Sequence, residues 1–518
     1  MERRNFLQNL GILGLGASAM SCNVSGDNKD SDEEVKNKRK KNRKDQPNIL
    51  FVFADQFRKQ SLGFMNEDPV RTPHFDRFAK ESVVFKNAVS SCPLSTPYRA
   101  SLMSGKFPMA TGLTTNCQPG LSIELDENEI CLGDVWKENG YQTAYIGKWH
   151  LDCPELNKNI KPESGAKHWD ANIPEGKRRH GFDFWYAYNT HDVHFDPHYW
   201  TGDSQKMIRP KQWSVDHETD IALDYLQKRD KDKPFSMILS WNPPHPPYIA
   251  PEELKNHYNL EDIDVRPNAK GTGKNNILGK EARQSYFAAV ESCDNNFGRI
   301  VDYLEKEGIA DNTILVFTSD HGEMLGSHDR MQKCVWYEEA SAVPMMIRWP
   351  KALKPHEFEP LFQTYDIMPS LLGLMDLEIP ESCDGEDLSP LMRQESGVKD
   401  ERNSVLLHEF VCRPWPLATV GQDMSPWVAD TLKLAKEGID WRNLGYRGLR
   451  TKTHTFVAVR SADGRDLEFR LYDNINDKYQ LNPVIKKNPE SNPLMRKLLP
   501  ELKDWLKKSY DPFSLISH

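Results

Sequence analysis

The 518-residue sequence predicts an α/β sandwich around a large, mostly parallel sheet, followed by a smaller C-terminal α+β subdomain with an antiparallel sheet. Three observations predict this class. Two near-continuous apolar runs occupy residues 48–54 and 313–318, a helical apolar stripe lies between residues 286 and 304, and the pattern changes near residue 375. Apolar runs without alternation are typical of strands that are buried on both faces.

The elements of the predicted catalytic domain, residues 47–375, follow from these patterns. The first strand begins after Pro47, and the second is preceded by a helix whose apolar residues recur every three or four positions, with a plausible stop at Gly308. Strand–helix alternation also occurs around residues 141–147 and 235–240, and residues 365–372 resemble a closing helix. Repeated strand–helix alternation favours a parallel sheet.

Residues 376–518 form the predicted C-terminal subdomain. Segments 455–460 and 468–472 alternate like antiparallel strands, and residues 494–505 carry the pattern of an amphipathic helix. This combination predicts an antiparallel sheet with a helix packed on it.

The N-terminus is typical of an export signal, which we assign to residues 1–22. Arg3 and Arg4 precede a mild apolar stretch, and residues 19–22 fit a loose bacterial lipobox with Cys22 as the lipid attachment site. The alternative is an ordinary cleaved signal with an incidental cysteine. Residues 23–46 have no apolar periodicity and predict a disordered, charged tether. We therefore expect an exported protein, in the periplasm or anchored to the outer membrane.

Charge and composition exclude several classes of protein. The formal net charge is −9, and since residues 1–47 carry +3, the remainder carries −12. An acidic body is a poor match for nucleic acid, whose binding depends on Lys and Arg. Past the N-terminus, no apolar run approaches the roughly 20 residues of a membrane-spanning helix. The nine cysteines form no CxxC pair, so a zinc ribbon is not expected and no disulfide pairing follows.

Polar side chains follow both buried strands. Asp55 and Gln56 come directly after the first, and Asp320 and His321 come after the second. Side chains from adjacent strand ends can converge on one hard cation. Ordinary loop polarity explains either pair taken alone.

Further candidates lie between these strands. Ser95 and Arg99 stand four residues apart at the start of an apolar helix, where an anion would be favoured, although a capping serine and a surface arginine explain the same pattern. Lys148 and His150 follow an apolar segment. His245 lies between two Pro-Pro pairs, which suits a rigidly held proton donor or a structural turn.

Several motifs occur together, in a fixed order, between about residues 47 and 483. They are Ser95-x-Pro97-x-Arg99 with residues 100–106, Gly140-Tyr141-x-Thr143, Gly147-Lys148-Trp149-His150, residues 319–323, residues 343–350, Asp366-x-x-Pro369 and Leu471-Tyr472-Asp473. In this order they resemble the signatures of the formylglycine-dependent sulfatases of the alkaline phosphatase superfamily. The resemblance implies an alkaline-phosphatase-like sandwich and a sulfatase of the bacterial serine type.

Two features depart from the pattern of the family. Many members have Asp-Asp where this chain has Asp55-Gln56, and Asn in place of His321, so the predicted metal site carries less negative charge. Cys92 fails the signature, because the required Pro and Arg positions hold Leu94 and Thr96. The resemblance therefore assigns the modified residue to Ser95, which a cytoplasmic radical maturation enzyme would oxidise to formylglycine.

The resemblance also implies the chemistry of the site. A divalent cation, calcium, would be held by Asp55, Gln56, Asp320, His321 and the hydrated aldehyde of residue 95, whose hydroxyl attacks sulfur. The implied catalytic roles are orientation of the diol by Arg99, neutralisation of sulfate charge by Lys148 and Lys333, protonation of the leaving oxygen by His245, and removal of the second hydroxyl proton by His150.

The expected function is hydrolysis of a sulfate ester on a carbohydrate of the glycosaminoglycan, mucin or algal type. An arylsulfatase or choline-sulfatase-like enzyme, or a phosphodiesterase or phosphonate monoester hydrolase, remains an alternative, as does a non-catalytic binding lipoprotein. Candidates for contacts with the sugar are the His- and aromatic-rich region Tyr186–Trp200, Arg413 and Trp415, although this region can equally be a packed surface excursion.

Overall fold

The computed structural model describes residues 46–263, 266–269, 280–420 and 423–516. The predicted export signal, Cys22 and nearly all of the predicted tether lie outside these residues. The strands are β1 (Asn48–Ala54), β2 (Val83–Val89), β3 (Gln142–Lys148), β4 (Phe184–Tyr188), β5 (Trp200–Thr201), β6 (Phe235–Trp241), β7 (Thr313–Ser319), β8 (Met345–Arg348), β9 (His356–Gln363), β10 (Ser404–Glu409), β11 (Tyr446–Thr451), β12 (His454–Arg460), β13 (Leu467–Asp473) and β14 (Val484–Lys486).

The helices cover the sheets and supply one edge of the site. They are α1 (Pro73–Lys80), α2 (Ser95–Ser104), α3 (Pro108–Thr111), α4 (Leu132–Glu138), α5 (Ser214–Lys228), α6 (Glu252–Lys255), α7 (Lys280–Lys306), α8 (Glu338–Ser341), α9 (Ile367–Leu374), α10 (Ser389–Met392), α11 (Pro426–Lys436) and α12 (Pro493–Lys508). Among the described residues, none of these helices is both long enough and apolar enough to cross a bilayer.

The large sheet has the strand order β5-β4-β3-β6-β1-β7-β8-β2-β9. Strands β4, β3, β6, β1 and β7 run parallel, whereas β5 and β8 pair antiparallel with their neighbours. Alternate residues of β1 lie in two different core clusters, Ile49 and Phe51 in one and Leu50 and Val52 in the other. The strand is thus buried on both faces, and the predicted fold class is confirmed.

The C-terminal sheet is antiparallel, in the order β10-β11-β12-β13-β14. Leu406, Leu449 and Phe456 on one face pack in a cluster with Met495 and Leu502 of α12. The alternating pattern of the sequence therefore predicts this sheet and its helix correctly. The eight cysteines within the described residues are all free thiols.

The topology places the ends of four parallel strands beside one another. Since β3, β6, β1 and β7 are adjacent and point the same way, the residues that end or follow them meet at one edge of the sheet. Those residues are Lys148, Asn242, Asp55 and Asp320. Helix α2 begins at Ser95 and carries Arg99 within its first two turns.

Gly147 shows how tightly this edge is packed, and it provides a test. Its φ is +97°, and an added Cβ would lie 2.1 Å from the Ser240 carbonyl oxygen. We predict that Gly147→Ala destabilises the protein by about 2 kcal/mol or more, because backbone must move. Gly202→Ala is the control: its φ is +57° with no atom within 4 Å, so only the conformational cost of about 1 kcal/mol applies. The measurement is the urea midpoint of unfolding of each variant relative to the native protein. Equal shifts in the two variants would contradict tight packing at Gly147.

Candidate active site

Two buried carboxylates form the centre of the site. Asp55 and Asp320 are both 0% exposed, and Asp320 Oδ1 accepts hydrogen bonds from the backbone N–H of Gln56 (3.0 Å) and of His321 (2.9 Å). Burial and the neighbouring Asp55 raise the pKa of Asp320 to about 7. Burial also raises the pKa of Asp55, but the charges of Lys148 and other bases outweigh it and hold that pKa well below its usual range. Like charges this close require positive compensation.

Arg99 and Lys148 supply that compensation. The Arg99 guanidinium lies 3.1 Å from Asp55 Oδ2 and 3.4 Å from Asp320 Oδ2, and its other nitrogen donates to the Lys148 carbonyl (2.7 Å) and to Ser240 Oγ (2.9 Å). Lys148 Nζ lies 2.7 Å from Asp55 Oδ2. Both bases are therefore oriented toward the carboxylate pair.

His321 presents an unprotonated nitrogen to the same centre. Its Nδ1 lies 3.1 Å from the Gly322 carbonyl oxygen, which can only accept, so Nδ1 carries the proton. Burial lowers the pKa of His321 well below its ordinary value, which keeps the ring neutral. The unprotonated Nε2 lies 3.7 Å from Asp55 Oδ1 and 3.6 Å from Asp320 Oδ1.

The donor set fits a divalent cation. Ligand atoms of Asp55, Asp320 and His321 all lie within 4.8 Å of one another. Among the described residues Asp55 Oδ1 is buried without a hydrogen-bond partner, which a bound cation would satisfy. The carboxylates match a hard ion such as calcium, and the imidazole nitrogen also suits manganese or zinc.

Ser95 lies against this donor set. Its Oγ is 3.4 Å from Asp55 Oδ2 and 3.3 Å from His321 Nε2, and the residue is 2% exposed at the first position of α2. The structure thus brings Ser95, Arg99 and three of the four predicted side-chain ligands, Asp55, Asp320 and His321, together.

Gln56 and Lys333 pair with each other beside the cluster. Lys333 Nζ donates to Gln56 Oε1 at 2.5 Å, while Gln56 Nε2 donates to the Glu323 carboxylate. An amide oxygen has two lone pairs, so the contact with Lys333 leaves one for a cation. The role of Gln56 as a metal ligand stays a prediction.

The two predicted proton-transfer histidines lie at the wall of a cleft. His150 Nε2 lies 3.3 Å from the Cys117 carbonyl, Nδ1 has no partner within the described residues, and burial lowers its pKa, so the ring is a neutral base. His245 Nδ1 lies 2.8 Å from the Pro246 carbonyl and 3.2 Å from Asp192 Oδ1. The proton on Nδ1 is thus engaged, which leaves Nε2 for exchange with a substrate.

The cleft has a volume of about 1400 Å³ and is lined by Ser95, Lys148, His150, His245 and Lys333. Of the predicted sugar-contacting residues, Thr190, His191, Asp192, Val193 and His198 also line it. Tyr186, Tyr188 and Trp200 belong to the core instead. Arg413 and Trp415 are not part of the lining.

Sequence reasoning assigned no role to three polar residues that position the residues of the site. Ser240 accepts from Arg99, Asn242 Oδ1 accepts from Lys148 Nζ at 3.1 Å, and Glu323 accepts from Gln56. A signal for the first two existed, since Ser240 and Asn242 lie at the end of the apolar run of β6, as Asp55 does for β1.

Comparison with known proteins places this site in a family. Residues 47–377 match the sequence profile of the family described as Sulfatase. The chain is 34% identical over 500 residues to an endo-4-O-sulfatase of Bacteroides thetaiotaomicron, covering 90% of this chain and 93% of that protein. It is 33% identical to an ulvan-active sulfatase of Formosa agariphila, with coverage of 93% and 85%. The chain belongs to the sulfatase family and is a sulfuric ester hydrolase of that family.

Solved structures agree with this assignment. A sulfatase structure from a study of glycosaminoglycan metabolism by Bacteroides thetaiotaomicron superimposes with a TM-score of 0.78 at 33% identity, covering 90% of this chain and 97% of that one. A phosphonate monoester hydrolase of Agrobacterium radiobacter has a TM-score of 0.67 at 19% identity, with coverage of 90% and 96%, and shares the fold alone. The predicted alkaline-phosphatase-like architecture is confirmed.

The donor set predicts stabilisation by metal. Calcium added to EDTA-treated protein should raise the thermal unfolding midpoint, since a ligand at 100 times its Kd stabilises by about 2.7 kcal/mol. Asp55→Asn removes a charged ligand and should reduce that shift, whereas the cleft variant Asp430→Asn, whose residue is exposed, should retain it. Manganese and zinc are measured in parallel. An unchanged calcium shift in Asp55→Asn, or no response of the native chain to any of the three ions, would contradict the site.

Proposed function

We propose that this protein hydrolyses a sulfate ester on a carbohydrate, with residue 95 in its oxidised formylglycine form and with a bound divalent cation, calcium. The observation that carries the proposal is the position of Ser95 Oγ, 3.4 Å from Asp55 and 3.3 Å from His321, at the centre of the charged cluster. A hydrated formylglycine would supply one hydroxyl as the nucleophile, whose oxygen then carries the sulfate, and a second hydroxyl whose deprotonation would re-form the aldehyde and expel sulfate with that first oxygen. A cation held by Asp55, Asp320 and His321, with Gln56, supplies Lewis-acid polarisation of a sulfate oxygen.

The basic residues bind and orient the substrate's sulfate. Lys148 and Lys333 both line the cleft beside Ser95, so they can neutralise charge that grows on the sulfate oxygens. Arg99 is fixed by its contacts with Asp55 and with the Lys148 carbonyl, so it can hold the side chain of residue 95 in one orientation. Fixed charges of this kind cost no reorganisation during the reaction.

The two histidines divide the proton transfers. His150 is buried and neutral with a free Nδ1, which suits the removal of a proton from residue 95 when sulfate is released. The Asp192 carboxylate lies 3.2 Å from His245 Nδ1 and stabilises the protonated imidazole. A protonated His245 is suited to donate a proton to the leaving oxygen. Burial and the charges of Lys333 and Lys148 lower the pKa of His245, and an anionic sulfate ester offsets those two charges.

The carbohydrate class is supported by the relatives. The endo-4-O-sulfatase and the ulvan-active sulfatase are each at least 33% identical to this chain over most of its length. The size of the cleft agrees with a saccharide larger than the sulfate group itself.

The proposal includes maturation and export. Ser95 is 2% exposed, so an enzyme that oxidises it must act before the chain folds, which agrees with a cytoplasmic partner. Export by the signal at residues 1–22, with lipid on Cys22, rests on the sequence pattern. Retention in the membrane fraction, lost in Cys22→Ala, is the corresponding measurement.

Removal of the nucleophile is the first test. Ser95→Ala should abolish hydrolysis of a sulfated saccharide and leave the thermal unfolding midpoint nearly unchanged. Ser101→Ala is the matched control, since this buried serine lies on the same helix and its Oγ has no partner within the described residues. More than trace activity in Ser95→Ala, measured by sulfate release, would reject the covalent mechanism.

The leaving-group acid is tested with two substrates. General acid catalysis is worth roughly 10²–10⁴-fold and matters most for a poor leaving group such as a sugar alkoxide. His245→Ala should lower the rate on a sulfated sugar by about that factor, and much less on an activated aryl sulfate if the enzyme accepts one. Equal losses on both substrates would instead show that His245 only shapes its turn.

A further inference from the structure

A line of aromatic rings leads outward from the catalytic centre. The rings of His150 and Trp169 have centroids 6.2 Å apart at 61°, and those of Trp169 and Trp427 lie 6.3 Å apart at 89°. All three residues line the cleft. The line therefore begins at the predicted proton acceptor and ends at the rim formed by α11.

Trp427 is not required by the protein core. It is 55% exposed, whereas α11 is anchored by the buried side chains of Val428 and Thr431. Ligand sites are concave and are usually lined by aromatic side chains, and Trp427 is an aromatic residue exposed inside a cleft. Its apolar face is available for stacking.

Trp169, in contrast, is held on a rigid segment. Its carbonyl accepts from Asn189 Nδ2 at 3.1 Å, and the next residue, Asp170, accepts from the backbone N–H of Asn189 and Thr190 and contacts His198 Nε2 at 2.5 Å. A ring on such a segment loses little freedom when a ligand binds.

Positive charge lies on the same rim. Lys167 and Arg209 line the cleft, both are exposed, and within the described residues neither forms an ion pair. Their two segments are neighbours, since a Cβ added to Gly165 would lie 3.8 Å from Met207 Cε. In a chain of net charge −9 these two unpaired bases are suited to an anionic group beyond the scissile sulfate.

The volume of the cleft favours a ligand larger than a single sugar. Small-molecule sites measure roughly 300–1,000 Å³. This cleft measures about 1400 Å³. A single sulfated sugar would leave much of it unfilled.

We propose that Trp169 and Trp427 form a stacking subsite for a sugar ring adjacent to the one that carries the scissile sulfate, with Lys167 and Arg209 binding a second anionic group. The substrate is then an anionic oligo- or polysaccharide, and not a monosaccharide sulfate. This inference rests on the proposed function and specifies the substrate class of the same site.

Matched tryptophan variants test the stacking. Trp427→Ala should lower kcat/KM about tenfold or more on a sulfated glycosaminoglycan or ulvan tetrasaccharide, mainly through KM, because tryptophan contacts that become buried on binding dominate many binding sites. On a monosaccharide sulfate the change should stay below about twofold, and Trp427→Phe should restore much of the loss. Trp415→Ala is the control, since Trp415 is 47% exposed but lies outside the cleft lining.

These experiments distinguish failure of the stacking subsite from failure of the proposed function. Equal losses on both substrates, no loss on the tetrasaccharide, or the same loss in Trp415→Ala would overturn the subsite. If the native chain releases sulfate from no saccharide, the proposed function fails. Tetrasaccharide binding to Ser95→Ala protein, by calorimetry, then decides the subsite: binding weakened by Trp427→Ala supports it, and absent or unaffected binding overturns it.

Charge is tested with the same ligands. Arg209→Gln should weaken binding of a tetrasaccharide that carries a second sulfate or carboxylate, and the difference should shrink at high salt. It should leave a tetrasaccharide with only the scissile sulfate unaffected. Equal weakening of both ligands would reject the role of the rim in binding a second anion.

Discussion

The burial of two carboxylates at neighbouring strand ends is the constraint on which the rest of the site depends. Asp55 and Asp320 are fully buried and would repel each other if left uncompensated. Arg99 contacts both carboxylates, and Lys148 contacts Asp55. Two acids and two bases balance formally, so an anionic sulfate ester brings an excess of negative charge. In the proposed mechanism Lys333 would offset that charge, and a bound divalent cation would in addition polarise a sulfate oxygen.

Gln56 and His321 are neutral side chains within the predicted metal site. Gln56 is neutral, and its amide bridges Lys333 to the Glu323 carboxylate, so the lysine is positioned through an amide. His321 offers a neutral nitrogen because its proton is directed to the Gly322 carbonyl. Gln56 removes one negative charge from the predicted donor set, whereas the neutral His321 in place of a neutral Asn leaves that charge unchanged. The expected consequence of Gln56 is a weaker metal affinity than a carboxylate-richer site would have.

The parallel sheet and the central cluster could be predicted from sequence, because buried strands have an unambiguous pattern and their polar ends must meet at one edge. Asp55 and Asp320 were accessible in this way, whereas Ser95 and Arg99 were assigned through the resemblance to the sulfatase signature. The partners of those residues were not accessible: whether Lys148 binds Asn242 or another acceptor depends on the register of β3 against β6. The cleft beyond the sulfate was equally inaccessible. Nothing in the sequence near Trp427 separates an exposed ring in a cleft from an ordinary surface tryptophan.

Residue 95 lies where the strand ends, the charged cluster and the cleft meet, so measuring its covalent state tests the proposed mechanism most directly. Tryptic cleavage after Lys86 and Arg99 releases the peptide of residues 87–99, which contains Ser95. In active protein from a host with an anaerobic serine-type maturation enzyme, the mass of this peptide should be about 2 Da below that of the unmodified sequence, since oxidation to formylglycine removes two hydrogens. The unmodified mass throughout a fully active sample would contradict the account.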